Sequence, residues 1–173
     1  NQISHFDKSN NEFIHIIDPK PRLFIIGAVH IAQALVSLAN VADYEIILID
    51  PRDHFATKSR FPNCKIINEW PDEALSKFNL DKSSHLVTLT HDPKIDDLAL
   101  IFCMKKNIGY IGSLGSKKTH NKRCERLIEK GFNEIELSKI HAPIGLDIKA
   151  KTPAEIAASI LAEIINYRRN NHD

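Results

Sequence analysis

Four short segments of this chain hold residues suited to gripping an anion or exchanging a proton, and each follows an apolar run. Gly27-Ala28-Val29-His30 closes the first run and Asp50-Pro51-Arg52-Asp53 the second. Thr90-His91-Asp92 closes a third, and Gly112-Ser113-Leu114-Gly115-Ser116-Lys117-Lys118 a fourth. The last segment carries the most specific signal. Gly112 and Gly115 free the backbone to form a concave nest of amides, and Ser116 is placed to cap the helix that follows. Lys117 and Lys118 add positive charge where the helix dipole is already positive. Two lysines there oppose the dipole, and a bound anion accounts for them better than a solvated helix end does.

The first turn, G-A-V-H-I-A, occupies the place of the dinucleotide fingerprint G-x-G-x-x-G/A. Gly27 allows the tight turn and Ala32 is small enough for close helix–strand packing. Val29 stands where the second glycine would let backbone approach a pyrophosphate, and a β-branched residue there disfavours positive φ. Asp50 lies at the distance expected of an acid that bonds a ribose hydroxyl, and Arg52 lies beside it. A bound nucleotide and a plain tight turn both remain open. His30, Thr90 and His91 stand at the mouth of the same edge as candidate ligand contacts. Asp92 reads as the cap of a helix starting near Pro93, with Asp96 and Asp97 facing water in its first turn; a metal cluster or an acid–base set with His91 is the alternative. No nucleophile–base–orienter set is present, so no catalytic residue and no metal ligand is assigned, and a binding protein without turnover is the expectation.

These segments need strands and helices to bring them together. Leu23-Phe24-Ile25-Ile26 is a continuous apolar run, as expected of a strand buried on both faces of a parallel sheet. Further strands are expected over 45–50, 65–67, 84–90 and 107–112. Helices are expected over 31–40, 71–78, 95–106 and 117–130, the last stopped by Gly131. Thr152-Pro153-Ala154-Glu155 is a capping box. Ile156, Ile160, Ile164 and Tyr167 follow it as a stripe, either core or a dimer face. The alternation predicts an α/β, Rossmann-like fold of three layers, a mostly parallel sheet covered by helices on both faces. Residues 1–20, closed by Pro19 and Pro21, read as an irregular leader or linker, and 21–173 as one domain. The opening at Asn1 reads as the interior of a longer gene product or the scar of a removed tag.

The formal net charge is +1, which argues against bulk attraction to nucleic acid or acidic membrane. No apolar run approaches the roughly 18 residues a membrane span requires, and no secretory signal opens the chain. Cys64, Cys103 and Cys124 share no C-x-x-C spacing, as expected of reduced thiols in a cytoplasm. Cys103 sits in an apolar helical pattern and reads as core.

Taken in order, five blocks resemble the XdhC/CoxI family, accessory proteins that mature molybdenum hydroxylases such as xanthine dehydrogenase. The blocks are P-R-L-F-I-I-G-A-V-H-I-A, D-P-R-D-H-F-A-T-K-S-R-F-P, T-H-D-P-K-I-D, Y-I-G-S-L-G-S-K-K and A-P-I-G-L-D-I-K-A-K-T-P-A-E-I-A-A-S-I-L-A-E-I. They span about 19–168 and match that family's C-terminal Rossmann-like domain; its N-terminal domain, often cysteine-bearing, has no counterpart in this chain. The resemblance implies binding of molybdenum cofactor (molybdopterin), its sulfuration with a cysteine desulfurase-type partner and its delivery to a molybdenum hydroxylase subunit. It also implies a homodimer. The family usually shows G-A-G-H at the first turn, where this chain has Val29. An NAD(P)-binding oxidoreductase, weakened by Val29, and a ligand-free dimerisation or interaction module are the alternatives.

Overall fold

The computed structural model describes residues 5–7, 9–14 and 20–170. Near the amino end, β1 (His5–Asp7) and β2 (Glu12–Ile14) pair antiparallel, with Phe6 opposite Phe13. The stretch 1–20, expected to be irregular, thus contains a short ladder. Asn11 takes the left-handed conformation (φ 56°) that asparagine tolerates, just before the returning strand. Residues 1–4, 8 and 15–19 of that stretch lie outside the described residues.

The main unit begins with β3 (Arg22–Ile26), α1 (His30–Val41), β4 (Glu45–Ile49), β5 (Lys65–Ile67) and α2 (Pro71–Ser76). It continues through β6 (Ser84–Thr88), α3 (Pro93–Met104), β7 (Tyr110–Ser113) and α4 (Lys117–Glu129). It ends with α5 (Glu134–Leu137), β8 (Ile140–His141) and α6 (Pro153–Asn170). The six strands of its sheet run in the order β5-β4-β3-β6-β7-β8, every pair parallel. The chain winds outward from β3 to β5, then returns to lay β6 on the other side of β3. The strand order therefore reverses between β3 and β6, where α/β sheets of this kind open a ligand crevice.

Alternate strand residues serve opposite layers. Leu23, Ile25, Ile46, Leu48, Val87 and Leu89 pack under α1 and α6, while Phe24, Ile26, Ile47, Ile49, Leu86 and Ile111 pack under α2, α3 and α4. Both sets are buried, which is why β3 and β4 carry four apolar residues in a row. The stripe on α6 belongs to this core. Ile160 and Ile164 are fully buried against the α1 layer, with Ile156 and Tyr167 partly buried in the same cluster, so the stripe is no dimer face. Thr152 and Glu155 form the expected reciprocal cap, Glu155 N–H to Thr152 Oγ1 at 3.2 Å and Thr152 N–H to Glu155 Oε2 at 2.9 Å.

Most element ends lie within two residues of expectation, and the stretch around β7 and after α4 differs more. The strand expected over 107–112 is β7, which begins only at Tyr110. A side chain at Gly109 would place a Cβ 2.1 Å from the Lys82 carbonyl oxygen, so the chain passes that point as a close turn. The short α5 and the two-residue β8 were not expected. Asn133 and Glu136 form a capping box there, the signature also found at Thr152.

Candidate functional site

The parallel register places the carboxyl ends of β4, β3, β6 and β7 side by side, so the four segments share one edge of the sheet. At the reversal point Gly27 and Thr90 touch. Gly27 has φ 107°, and a Cβ on it would lie 2.5 Å from Thr90 Cγ2. The neighbouring Ala28 N–H donates to Asp50 Oδ2 at 2.8 Å. Arg52 donates from Nε and Nη2 to the two oxygens of Asp50 at 2.9 and 2.8 Å, and its own N–H adds a third bond to Oδ1 at 3.0 Å.

Asp50 is fully buried. Burial alone would raise its pKa, but the Arg52 guanidinium and the two backbone amides outweigh that and hold the carboxyl below its usual range; Asp50 in turn raises Arg52. The acid that the sequence offers to a ribose hydroxyl is thus turned inward, bracing the first turn against Arg52. Val29 takes an extended conformation (φ −88°, ψ 173°), so the left-handed geometry expected of the second glycine is not required there. The turn's positive φ falls on Gly27. His30, exposed, is the first residue of α1.

Beyond β6, Thr90, His91 and Asp92 lead into α3. Asp92 caps it as expected, accepting from Lys94 N–H at 2.9 Å. Asp96 does not face water: it is 1% exposed. It accepts from Thr90 Oγ1 at 2.7 Å, Thr90 N–H at 3.3 Å and His91 N–H at 3.1 Å. The physical reason is its register, since Asp96 lies four residues before Leu100 and seven before Cys103 on the buried side of α3. Burial pushes its pKa up, against the opposing pull of the Thr90 and His91 hydrogen bonds and the charge of Arg123. Asp97, also expected in water, is largely covered and forms a two-point pair with Arg126 at 2.6 and 3.0 Å.

The fourth segment divides in two. Gly112 lies inside β7, where a Cβ would come within 2.4 Å of Ile144 Cδ1, so this glycine admits a packed side chain and contributes nothing to an amide nest. Ser113 is fully buried, its hydroxyl hydrogen-bonded to that of Thr88 at 2.5 Å. The remainder stands at the start of α4. Gly115 has φ 138°, Ser116 Oγ accepts from Thr119 N–H at 3.2 Å as the cap, and Lys117 and Lys118 are exposed in the first turn.

Sequence reasoning missed Arg123 altogether. It lies on α4, 2% exposed, and its Nη2 donates to the Leu114 carbonyl at 3.0 Å. Its Nε and Nη1 are buried without a hydrogen-bond partner among the described residues. Each such unmade bond costs about 1–3 kcal/mol, more for a charged group. Burial pulls its pKa down, against the favourable charges of Asp96 and Asp97. A pocket of about 360 Å³ opens between the first turn of α3 and the face of α4 from Lys118 to Arg126, and Arg123 lines it with His91, Asp96, Lys118 and Lys122. The missed signal was register: Arg123 precedes the buried Leu127 by one turn. No cluster of three metal-ligating side chains occurs among the described residues.

The family model of the XdhC Rossmann domain matches residues 23–164. The chain belongs to that family. A relative from Bacillus subtilis, named as a probable xanthine dehydrogenase subunit, is 36% identical over 168 residues; the alignment covers 96% of this XdhC-type chain and 49% of the relative. A second, from Escherichia coli, is named molybdenum cofactor insertion chaperone PaoD. It is 29% identical over 155 residues, covering 90% of this chain and 42% of its own length. A crystal structure described as a xanthine dehydrogenase from Bacillus halodurans superimposes with a TM-score of 0.77 at 33% identity, over 95% of this chain and 48% of that one. The XdhC-type chain thus spans about half the length of these relatives, or less. No helix among its described residues is long and apolar enough to cross a membrane.

Proposed function

We propose that this XdhC-type domain binds molybdenum cofactor at the carboxyl edge of its sheet, and helps to sulfurate it and insert it into a xanthine dehydrogenase-type molybdenum hydroxylase. The observation that carries this reading is the start of α4. Its first turn holds Lys117 and Lys118 and no acidic residue, and Ser116 caps it. That arrangement suits the anionic phosphate of a pterin cofactor. In this reading Gly115, Ser116, Lys117 and Lys118 hold the phosphate, with Thr90, His91 and Asp92 alongside. The turn from Gly27 to His30, braced by Asp50 and Arg52, forms the far wall. Gly112 and Ser113 support the loop from within.

The domain acts as a cytoplasmic carrier, without turnover of its own. Its partners are a cysteine desulfurase-type sulfurase and a molybdenum hydroxylase subunit, and it works as a homodimer. The relative named for molybdenum cofactor insertion supports the cargo, and the relative named for xanthine dehydrogenase supports the client. An NAD(P)-dependent oxidoreductase is the second reading, favoured by the strand reversal between β3 and β6. The engagement of Asp50 by Ala28 and Arg52 speaks against it.

Isothermal titration with a molybdopterin species, NAD(H) and NADP(H), on the wild type and on the double variant Lys117→Ala, Lys118→Ala, tests this. The expected result is saturable cofactor binding, weakened in the variant, and no binding of either nicotinamide nucleotide. Equal cofactor affinity in both proteins at moderate salt, or tight nicotinamide nucleotide binding, overturns it.

A further inference from the structure

We infer that the pocket between α3 and α4 is a phosphoryl-binding site built around the buried guanidinium of Arg123. The starting point is an unsatisfied charge. An arginine has five N–H donors and stays protonated in proteins. Here one nitrogen reaches the Leu114 carbonyl while Nε and Nη1 find no partner among the described residues. Neither nearby carboxylate neutralises it by contact. Asp96 already accepts from Thr90 and His91, and Asp97 is held by Arg126. Arg123 forms no ion pair among the described residues.

The wall of the pocket repeats the message. Lys118 and Lys122 stand one helical turn apart on α4, with Arg126 a turn further on, and all three line the pocket. Like charges at that spacing repel, and α4 carries no acidic residue in its first turn to relieve them. With Asp97 offsetting Arg126 and Asp96 offsetting one further charge, the lining keeps an excess of positive charge. A tetrahedral dianion supplies acceptors to the orphaned donors and screens the lysines together. At about 360 Å³ the pocket is at the small end of ligand pockets, suited to a phosphoryl group and a short part of whatever carries it. His91 and Lys118 are shared with the carrier site proposed above, but the inference rests on Arg123 and does not require a pterin cargo.

The test uses the whole chain at low salt. Inorganic phosphate and a small phosphate monoester are titrated separately while the Nε–Hε resonance of Arg123 and the binding heat are followed. The expected result is a saturable shift of that resonance with both ligands and none with chloride at matched ionic strength. Arg123→Lys should weaken binding about tenfold, the loss of one charge-assisted contact. Because a buried variant can fail to fold, Lys122→Gln, at an exposed position, provides the second arm and should weaken binding several-fold. Tighter binding of the monoester points to an organic carrier, and equal binding to the free ion; either supports the site. An unmoved Arg123 resonance, or unchanged affinity in Lys122→Gln, overturns it. Absence of saturable phosphate binding to the wild type with cofactor binding present sinks this inference alone, and the converse sinks only the carrier reading.

Discussion

Asp50 and Arg52, two residues apart at the end of β4, form a two-point ion pair with bonds of 2.9 and 2.8 Å, and the same carboxylate accepts the Ala28 amide from the neighbouring strand's turn. One buried side chain therefore ties the first turn to the second. Asp50→Asn keeps the shape but puts an N–H group where an acceptor is needed and leaves Arg52 without its counter-charge. We expect it to cost about 2–4 kcal/mol in urea unfolding. Arg52→Met should cost less, since Asp50 retains both amide donors. Equal stability of Asp50→Asn and wild type would show that the pair braces nothing.

The two buried aspartates should give stability opposite dependences on pH. Asp50 is held below the unfolded value of about 3.9, so its contribution is fully present above that pH and is lost as pH falls below it. Asp96 is raised above that value, so the native state keeps a proton that the unfolded chain has already released. Its contribution shrinks as pH rises from about 4 through its folded pKa. Urea melts from strongly acidic to neutral pH should show a fall on each side. Asp50→Asn should remove the acid-side fall and Asp96→Asn the other. A profile of Asp96→Asn parallel to wild type would contradict the assignment.

The three cysteines should differ sharply in reactivity. Cys103 is fully buried, and burial pushes its thiol up to about 12. Cys64 is nearly buried and also raised by burial. Cys124 is partly exposed on α4, its Sγ 3.5 Å from His120 Nε2. Thiolate and access together set the rate. Native labelling at mildly alkaline pH, followed by mass spectrometry, should modify Cys124 first and Cys103 only on unfolding. Early labelling of Cys103 would mean the α3 layer opens readily.

The sheet was legible because a strand covered on both faces favours apolar residues at successive positions, and β3 and β4 supply four in a row after Arg22 and Glu45, whereas β6 buries Ser84, His85 and Thr88 beside Leu86 and Val87. The capped ends of α3, α4 and α6 were legible because Asp92, Ser116 and Thr152 bond amides within their own first turns. The charged interior was less so. Asp96 and Arg123 lie at helical register with Leu100 and Leu127, yet a charged residue on a helix is ordinarily assigned to solvent. Only the tertiary neighbours Thr90, His91 and Leu114 show how each is held. The inward turn of Asp50 was hidden for the same reason. Its bond to Ala28 spans 22 residues and exists only once β3 and β4 are paired.

Gly27 and Val29 provide a last contrast within one turn. Gly27 has φ 107°, and a Cβ there would meet Thr90 both at its Cγ2, 2.5 Å away, and at its backbone nitrogen, 3.2 Å away. A side chain can rotate aside but the strand end cannot, so Gly27→Ala should cost about 1–3 kcal/mol. Val29 has φ −88°, open to any residue, and sits at the N-cap of α1 without a side-chain cap. Glycine is tolerated at that position, though Val29 also packs against the core, so Val29→Gly should change stability by no more than about 1 kcal/mol. The variant restores the glycine of the dinucleotide fingerprint while Asp50 remains bound to Ala28 and Arg52. It should therefore still fail to bind NAD(H) in a calorimetric titration. Saturable NAD(H) binding by Val29→Gly would show that the valine side chain, and not the engaged aspartate, closes this turn to nucleotides.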